Sequence, residues 1–224
     1  NREHLVQAGP ALDLEARISS FELAFRMQME MPQIEDLSSE TRDTFELYGI
    51  DQKITEDFGR QCLLARRFAE KGVRFIQVTH SDSMVQWDQH SDLHKGHTKN
   101  ALEVDRPIAG LLKDLKRRGL LESTLVIWAG EFGRTPMSQG KTGRDHSPFG
   151  FSIWMAGAGL KGGRMVGATD EIGLRAVENP YHVRDLHATI LDRVGLDQDA
   201  LTFLHNGREE RLTDIGGRVI SELL

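Results

Sequence analysis

Two aspartates, two histidines and a glutamate fall into three short polar stretches of this chain, at Asp88/His90, Glu131 and Asp145/His146. Trp87-Asp88-Gln89-His90 sets a carboxylate and an imidazole two residues apart. In extended backbone, residues i and i+2 point the same way, so Asp88 and His90 could reach one ion. Gly130-Glu131-Phe132-Gly133-Arg134 ends the apolar run Leu125 to Ala129, and Gly143-Arg144-Asp145-His146 leads towards a second, Phe149 to Ala156. Mixed oxygen and nitrogen donors suit zinc, manganese or iron and, with more carboxylate, magnesium or calcium. Asp88, His90, Glu131 and His146 are the candidate ligands of such a divalent metal, with Asp145 as a supporting neighbour of His146. Guanidinium groups hold phosphate or sulfate oxygens in pairs. Arg134 and Arg144 are therefore candidate binders of an anionic substrate, or salt-bridge partners that position Glu131 or Asp145.

These residues need elements to bring them together. An apolar run ended by glycine reads as a buried strand, and open α/β sheets bind ligands beyond the carboxyl ends of their strands. The β-branched run Val73 to Thr79 predicts one strand, Thr124 to Ala129 and Phe149 to Ala156 predict two more, and Arg164 to Gly167 a short fourth. Helices are expected over Thr55 to Glu70, with Thr55 as N-cap, over Thr98 to Arg118, kinked or restarted at Pro107, and over His182 to Val194. Strand, helix, strand in this order implies right-handed parallel crossovers. The expected fold is a three-layer α/β/α sandwich with a mostly parallel sheet over residues 55–224. The loop His80 to His97 would then lie at the same sheet edge, with His80, His90, His94, His97, Asp82, Asp88 and Asp92. Residues 1–54 read as a helical lead-in. Leu14, Ile18, Phe21, Phe25 and Met29 keep helical spacing until Met31-Pro32, and a second helix runs from Ser39 to Tyr48. The tail is expected to close with a short helix, Asp214 to Leu223.

Bulk properties narrow the function. The 224 residues carry a net charge of -6, which argues against general binding to nucleic acid, whose phosphates need a basic face. No apolar stretch approaches the roughly 20 residues that cross a bilayer. The single cysteine, Cys62, cannot close an internal disulfide and reads as packing within a helix. Gly157 to Gly163 lacks the Lys-Ser or Lys-Thr ending of a phosphate-binding loop and reads as a turn-rich strand exit. His187, inside an amphipathic helix, reads as a packed or surface residue. No Ser, Thr or Cys carries the surroundings of an activated nucleophile.

The ordered set Trp87-Asp88-Gln89-His90, Gly130-Glu131-Phe132-Gly133-Arg134-Thr135-Pro136, Gly143-Arg144-Asp145-His146, Ala156 to Gly163, Gly167-Ala168-Thr169-Asp170 and Asp185 to Leu191 closely resembles the bacterial domain-of-unknown-function family fifteen-oh-one. The resemblance spans about Thr55 to Leu224 and reads as the C-terminal part of such a protein. That family is related to the alkaline phosphatase and sulfatase superfamily. The resemblance implies an alkaline-phosphatase-like sandwich with one or two metals at the sheet edge, acting on phosphate or sulfate esters of small molecules or glycans. It implies that Asp88 and His90 stand for the mid-chain ligand pair and His146 for the later ligand histidine. Glu131 would follow the strand where an Asp-His pair is usual. Phe132 stands where the superfamily has a second ligand, and its N-terminal nucleophile has no match, so a degenerate, non-catalytic binding or scaffold domain is the alternative. A phosphomutase-type transferase is a further option. Export signals common in the family imply a periplasmic or secreted setting.

Overall fold

The structure, a computed structural model, describes residues 12–81, 86–213 and 216–224. Asp82 of the histidine-rich loop and the first residues of the expected tail helix lie outside them.

Helices build the body. Helix α1 covers Leu12–Glu35, α2 Arg42–Tyr48, α3 Glu56–Glu70 and α4 Leu93–Arg117. Thr41 caps α2 by accepting the Thr44 N–H, and Gly49 closes it in the left-handed conformation. Phe58 and Cys62 lie one turn apart on α3, and with Leu63 they bury against Tyr48, Ile50 and Val104 of α4. Trp87 and Trp128 pack on the margin of this core. A methyl group on Gly59 would lie 2.5 Å from the Tyr48 carbonyl oxygen, so only glycine lets α2 and α3 come this close. Above this core, Arg66 is 2% exposed and pairs with Glu40 at 2.7 Å, Glu70 at 2.6 Å and Asp114 at 3.1 Å. The Tyr48 hydroxyl donates to Asp114 at 3.0 Å.

The helices run further than their prolines suggest. Helix α1 passes Pro32, because Asp36 N–H still finds the Pro32 carbonyl at 3.1 Å. Pro107 sits buried within an unbroken α4. A proline removes one donor, and the following residues continue the ladder. Helix α4 also starts earlier than expected, so His94 and His97 are helical and not loop residues. Cys62 is buried, and burial pushes its thiol up to about 12, which leaves it inert at neutral pH.

The sheet expectation is overturned. The described residues contain four separate two-stranded sheets and no parallel pair. Strand β1 (Leu125–Trp128) pairs antiparallel with β4 (Trp154–Gly157), and β2 (Gly133–Gln139) with β3 (Gly143–Ser147). Small hairpins β5/β6 (Ala168–Thr169, Ala176–Glu178) and β7/β8 (Thr202–His205, Arg208–Arg211) flank helix α5 (Val183–Arg193). A parallel pairing needs a crossover, usually a helix, between its strands. The segment between β1 and β4 folds into the β2/β3 hairpin instead, and the chain returns antiparallel. Val73 to Thr79 runs without regular pairing, since β-propensity favours a strand but supplies no partner. The expected strand at Arg164 to Gly167 is irregular, and the tail ends in a 3-10 turn, Ser221–Leu223, not a longer helix. Mixed α/β structure with five α-helices replaces the layered sandwich among the described residues.

Candidate metal centre

The β2/β3 hairpin carries half of the site. Its register sets Arg134 directly opposite His146, so both side chains share one face. The other half is the loop between Trp87 and Asp92, which docks on the hairpin through its backbone. Arg144 N–H donates to the Gln89 carbonyl at 3.2 Å, and Leu93 N–H donates to the Thr142 carbonyl at 3.1 Å. Asp92 N–H donates to Thr142 Oγ1 at 3.0 Å. Gly143 makes this docking possible, because a methyl group there would lie 1.8 Å from the His90 carbonyl oxygen.

Three nitrogens converge on one carboxylate oxygen. Asp88 Oδ1 lies 2.7 Å from Arg134 Nη2, 2.8 Å from His146 Nε2 and 3.1 Å from His90 Nε2. One ligand atom from each of Asp88, His90 and His146 falls within 4.8 Å of the others, and all three residues are exposed. Hydrogen bonds from His146 and then Arg134 hold the Asp88 carboxyl down to about 2. The carboxylate is therefore ionised throughout the physiological range.

Gln139, on β2, fixes the chemistry of His90. Its amide oxygen takes the hydrogen bond donated by His90 Nδ1. In a neutral imidazole that leaves the Nε2 lone pair turned towards Asp88 Oδ1, so two acceptors face one space. A cation or a proton between them resolves the conflict. Zinc bonds of about 2.0–2.2 Å in a tetrahedral site set ligand atoms about 3.3–3.6 Å apart, and the three side chains offer donor atoms within 4.8 Å of one another, so side-chain adjustments would bring them onto a shared ion.

The other candidates divide. Glu131 is exposed in the turn before β2 and lies outside the cluster; its neighbour Phe132 is the residue that reaches His146, with ring centroids 4.2 Å apart. Asp145 takes the His146 backbone N–H at 2.8 Å, so it holds the strand and not the imidazole. The Arg144 guanidinium donates to the Gly143 carbonyl at 2.8 Å, whereas Arg134 holds Asp88 and lies over the Phe132 ring. His94 is exposed on α4, His187 is exposed on α5, and His97 stacks edge-on against Trp87. Sequence reasoning missed Gln139, Thr142 and Gly143, whose parts depend on a hairpin register; the glycine flanking Arg144-Asp145-His146 was the one available signal of close approach.

A family model described as "Protein of unknown function (DUF1501)" matches residues 1–224, so the match takes in the helical lead-in as well as the region from Thr55 onwards. No curated relative matches the chain. No solved structure matches it either.

Proposed function

The chain belongs to the DUF1501 family, and from that premise we propose that it is a metal-dependent, hydrolase-like domain acting on phosphate or sulfate esters, with a site akin to the alkaline phosphatase and sulfatase superfamily. The observation that carries this reading is the convergence of Asp88, His90 and His146 on one point. These three residues would hold the cation, and Glu131 lies outside the set. Bound there, a divalent cation supplies Lewis-acid polarisation of the ester oxygen. Asp88 offers a carboxylate that stays ionised, and Gln139 keeps the His90 Nδ1 proton away from the site. Arg134 stands beside Asp88 with one guanidinium nitrogen engaged there and Nη1 buried without a partner. With Asp88 engaged by a cation, the Arg134 guanidinium would be available to bind the ester's anionic oxygens.

One observation favours a second reading. Arg134 already neutralises Asp88 at 2.7 Å, so the cluster is also a self-sufficient ion pair, as expected of a scaffold domain that has lost its chemistry. Metal content separates the two. Purified protein dialysed against zinc or manganese should retain about one ion per chain, lose it in Asp88→Ala and His146→Ala, and keep it in Glu131→Ala. Aryl phosphate and aryl sulfate esters assayed with that metal then test turnover. Equal metal content in wild type, Asp88→Ala and His146→Ala would remove the hydrolase reading.

A further inference from the structure

His80 stands outside the Asp88 cluster but is wired to it. The indole N–H of Trp87 donates to His80 Nδ1 at 3.0 Å. An indole can only donate, so Nδ1 is the acceptor and a neutral His80 carries its hydrogen on Nε2. That nitrogen lies 3.1 Å from Glu103 Oε2 on α4, and Lys99 sits 3.1 Å from the other oxygen of Glu103. His80 and Glu103 are 11% and 18% exposed, so water competes poorly for these bonds. The Phe58 ring of the core meets His80 edge-on at 5.0 Å, and Trp128 meets Trp87 at 6.0 Å. One residue earlier, buried Asn100 of α4 donates to the Gln86 carbonyl at 2.8 Å. The loop before Asp88 is thus tied to α4 by side chains and not by a strand ladder. The Trp87 carbonyl in turn accepts from Arg134 at 3.4 Å, and Asp88 follows directly.

We propose that His80 and Glu103 are positioning residues: they fix the Trp87 indole, and through it hold Asp88 in the geometry that receives the cation. This rests on the metal reading above. Groups hydrogen-bonded directly to a ligand set its orientation, and their loss weakens metal binding about 10- to 100-fold. The His80–Glu103 pair acts on the residue preceding the ligand, so the lower end applies.

The test is the zinc dissociation constant of the full chain, measured by chelator competition. His80→Phe keeps a ring but removes the acceptor, and Trp87→Phe keeps a ring but removes the N–H. Each should weaken zinc by about 10-fold, and the double variant should be no weaker than either, because both delete one bond. His80→Asn, whose side-chain oxygen can take the place of Nδ1, should restore most of the affinity. An unchanged constant in folded His80→Phe, or a double variant that loses the product of the two single losses, would overturn the proposal. A role confined to stability would lower the melting temperature and leave the constant of the folded protein unmoved, which also overturns it. Should His80→Phe fail to fold, Trp87→Phe and His80→Asn carry the comparison. Asp88→Ala runs alongside. If it binds zinc as tightly as wild type, the metal site itself is wrong and the positioning role falls with it; if it loses zinc while His80→Phe and Trp87→Phe keep it, the positioning role alone is wrong.

Discussion

Arg66 and Asp88 each stand at the centre of three polar partners, yet they sit in contrasting surroundings. Arg66 is 2% exposed and lies between helices α3 and α4 and the segment before α2, where Glu40, Glu70 and Asp114 close around it. Asp88 is 52% exposed, in a loop laid against a two-stranded hairpin, with Arg134, His90 and His146 around one oxygen. Distances in the two clusters are alike, between 2.6 and 3.1 Å. Environment separates them. Removing one member of a buried network strands charges away from water, whereas an exposed pair exchanges easily for water or another ligand. The first arrangement holds the helices together, and the second leaves a carboxylate ready to change partners.

The largest effect expected is on metal binding. Asp88→Ala and His146→Ala should each weaken zinc by more than about 100-fold, beyond what loss of a supporting residue does. Neither should change stability by more than about 1 kcal/mol, because the ion pairs they break are exposed. Calorimetric zinc titration and urea unfolding of the same preparations check both statements. The converse holds for Arg66→Ala, which removes the central cation of a buried network and should destabilise the fold by about 3 kcal/mol, the lower end for a broken buried pair because Glu40 keeps Arg67 and Asp114 keeps Arg118, and should leave zinc affinity of the folded protein unchanged. A comparable stability loss in Asp88→Ala would erase the contrast between the two clusters.

Gly143→Ala bridges the two regions. Its methyl group would meet the His90 backbone at 1.8 Å, so the loop must lift off the hairpin. Stability should fall by about 1–3 kcal/mol, as for other overpacked sites, and zinc affinity should fall with it. A folded Gly143→Ala protein with unaltered zinc affinity would show that hairpin docking does not shape the site.

Legibility in the sequence followed the range of the signal. The helices α1, α3, α4 and α5 were visible because apolar spacing within one helix is a local pattern. Val73 to Thr79 forms no strand, because its β-branched residues record a preference for extended backbone and say nothing of a neighbour. The expected parallel sheet fails because the segment between β1 and β4 folds into the β2/β3 hairpin and β1 pairs antiparallel with β4. Residue type and spacing single out Asp88, His90 and His146, and the structure brings one ligand atom of each within 4.8 Å of the others. Glu131 had the same credentials, but the turn that carries it presents Phe132 to His146. Gln139 could not be singled out, as its meeting with His90 requires the loop and hairpin already docked.

Acid should probe the helical cluster more gently. Burial pushes the Glu40 carboxyl up, but its bonds to Arg66 and Arg67 outweigh this and hold it below its usual range. A carboxyl depressed in the folded state adds stability that is fully present above its unfolded value of about 4.3 and is lost as pH falls through the folded value. Urea midpoints should therefore drop less steeply below about pH 4.3 in Glu40→Gln than in wild type. Smallest of all, Glu56→Ala, which breaks the exposed pair with Arg60, should shift stability by less than about 0.5 kcal/mol.

X-ray absorption at the zinc edge of the loaded protein tests the shared-ion geometry most directly. The expected spectrum contains two imidazoles and an oxygen ligand at about 2.0–2.2 Å, no sulfur, and one imidazole fewer in His146→Ala. A spectrum without imidazole scattering, or one that His146→Ala leaves unchanged, would contradict a metal centre built from Asp88, His90 and His146.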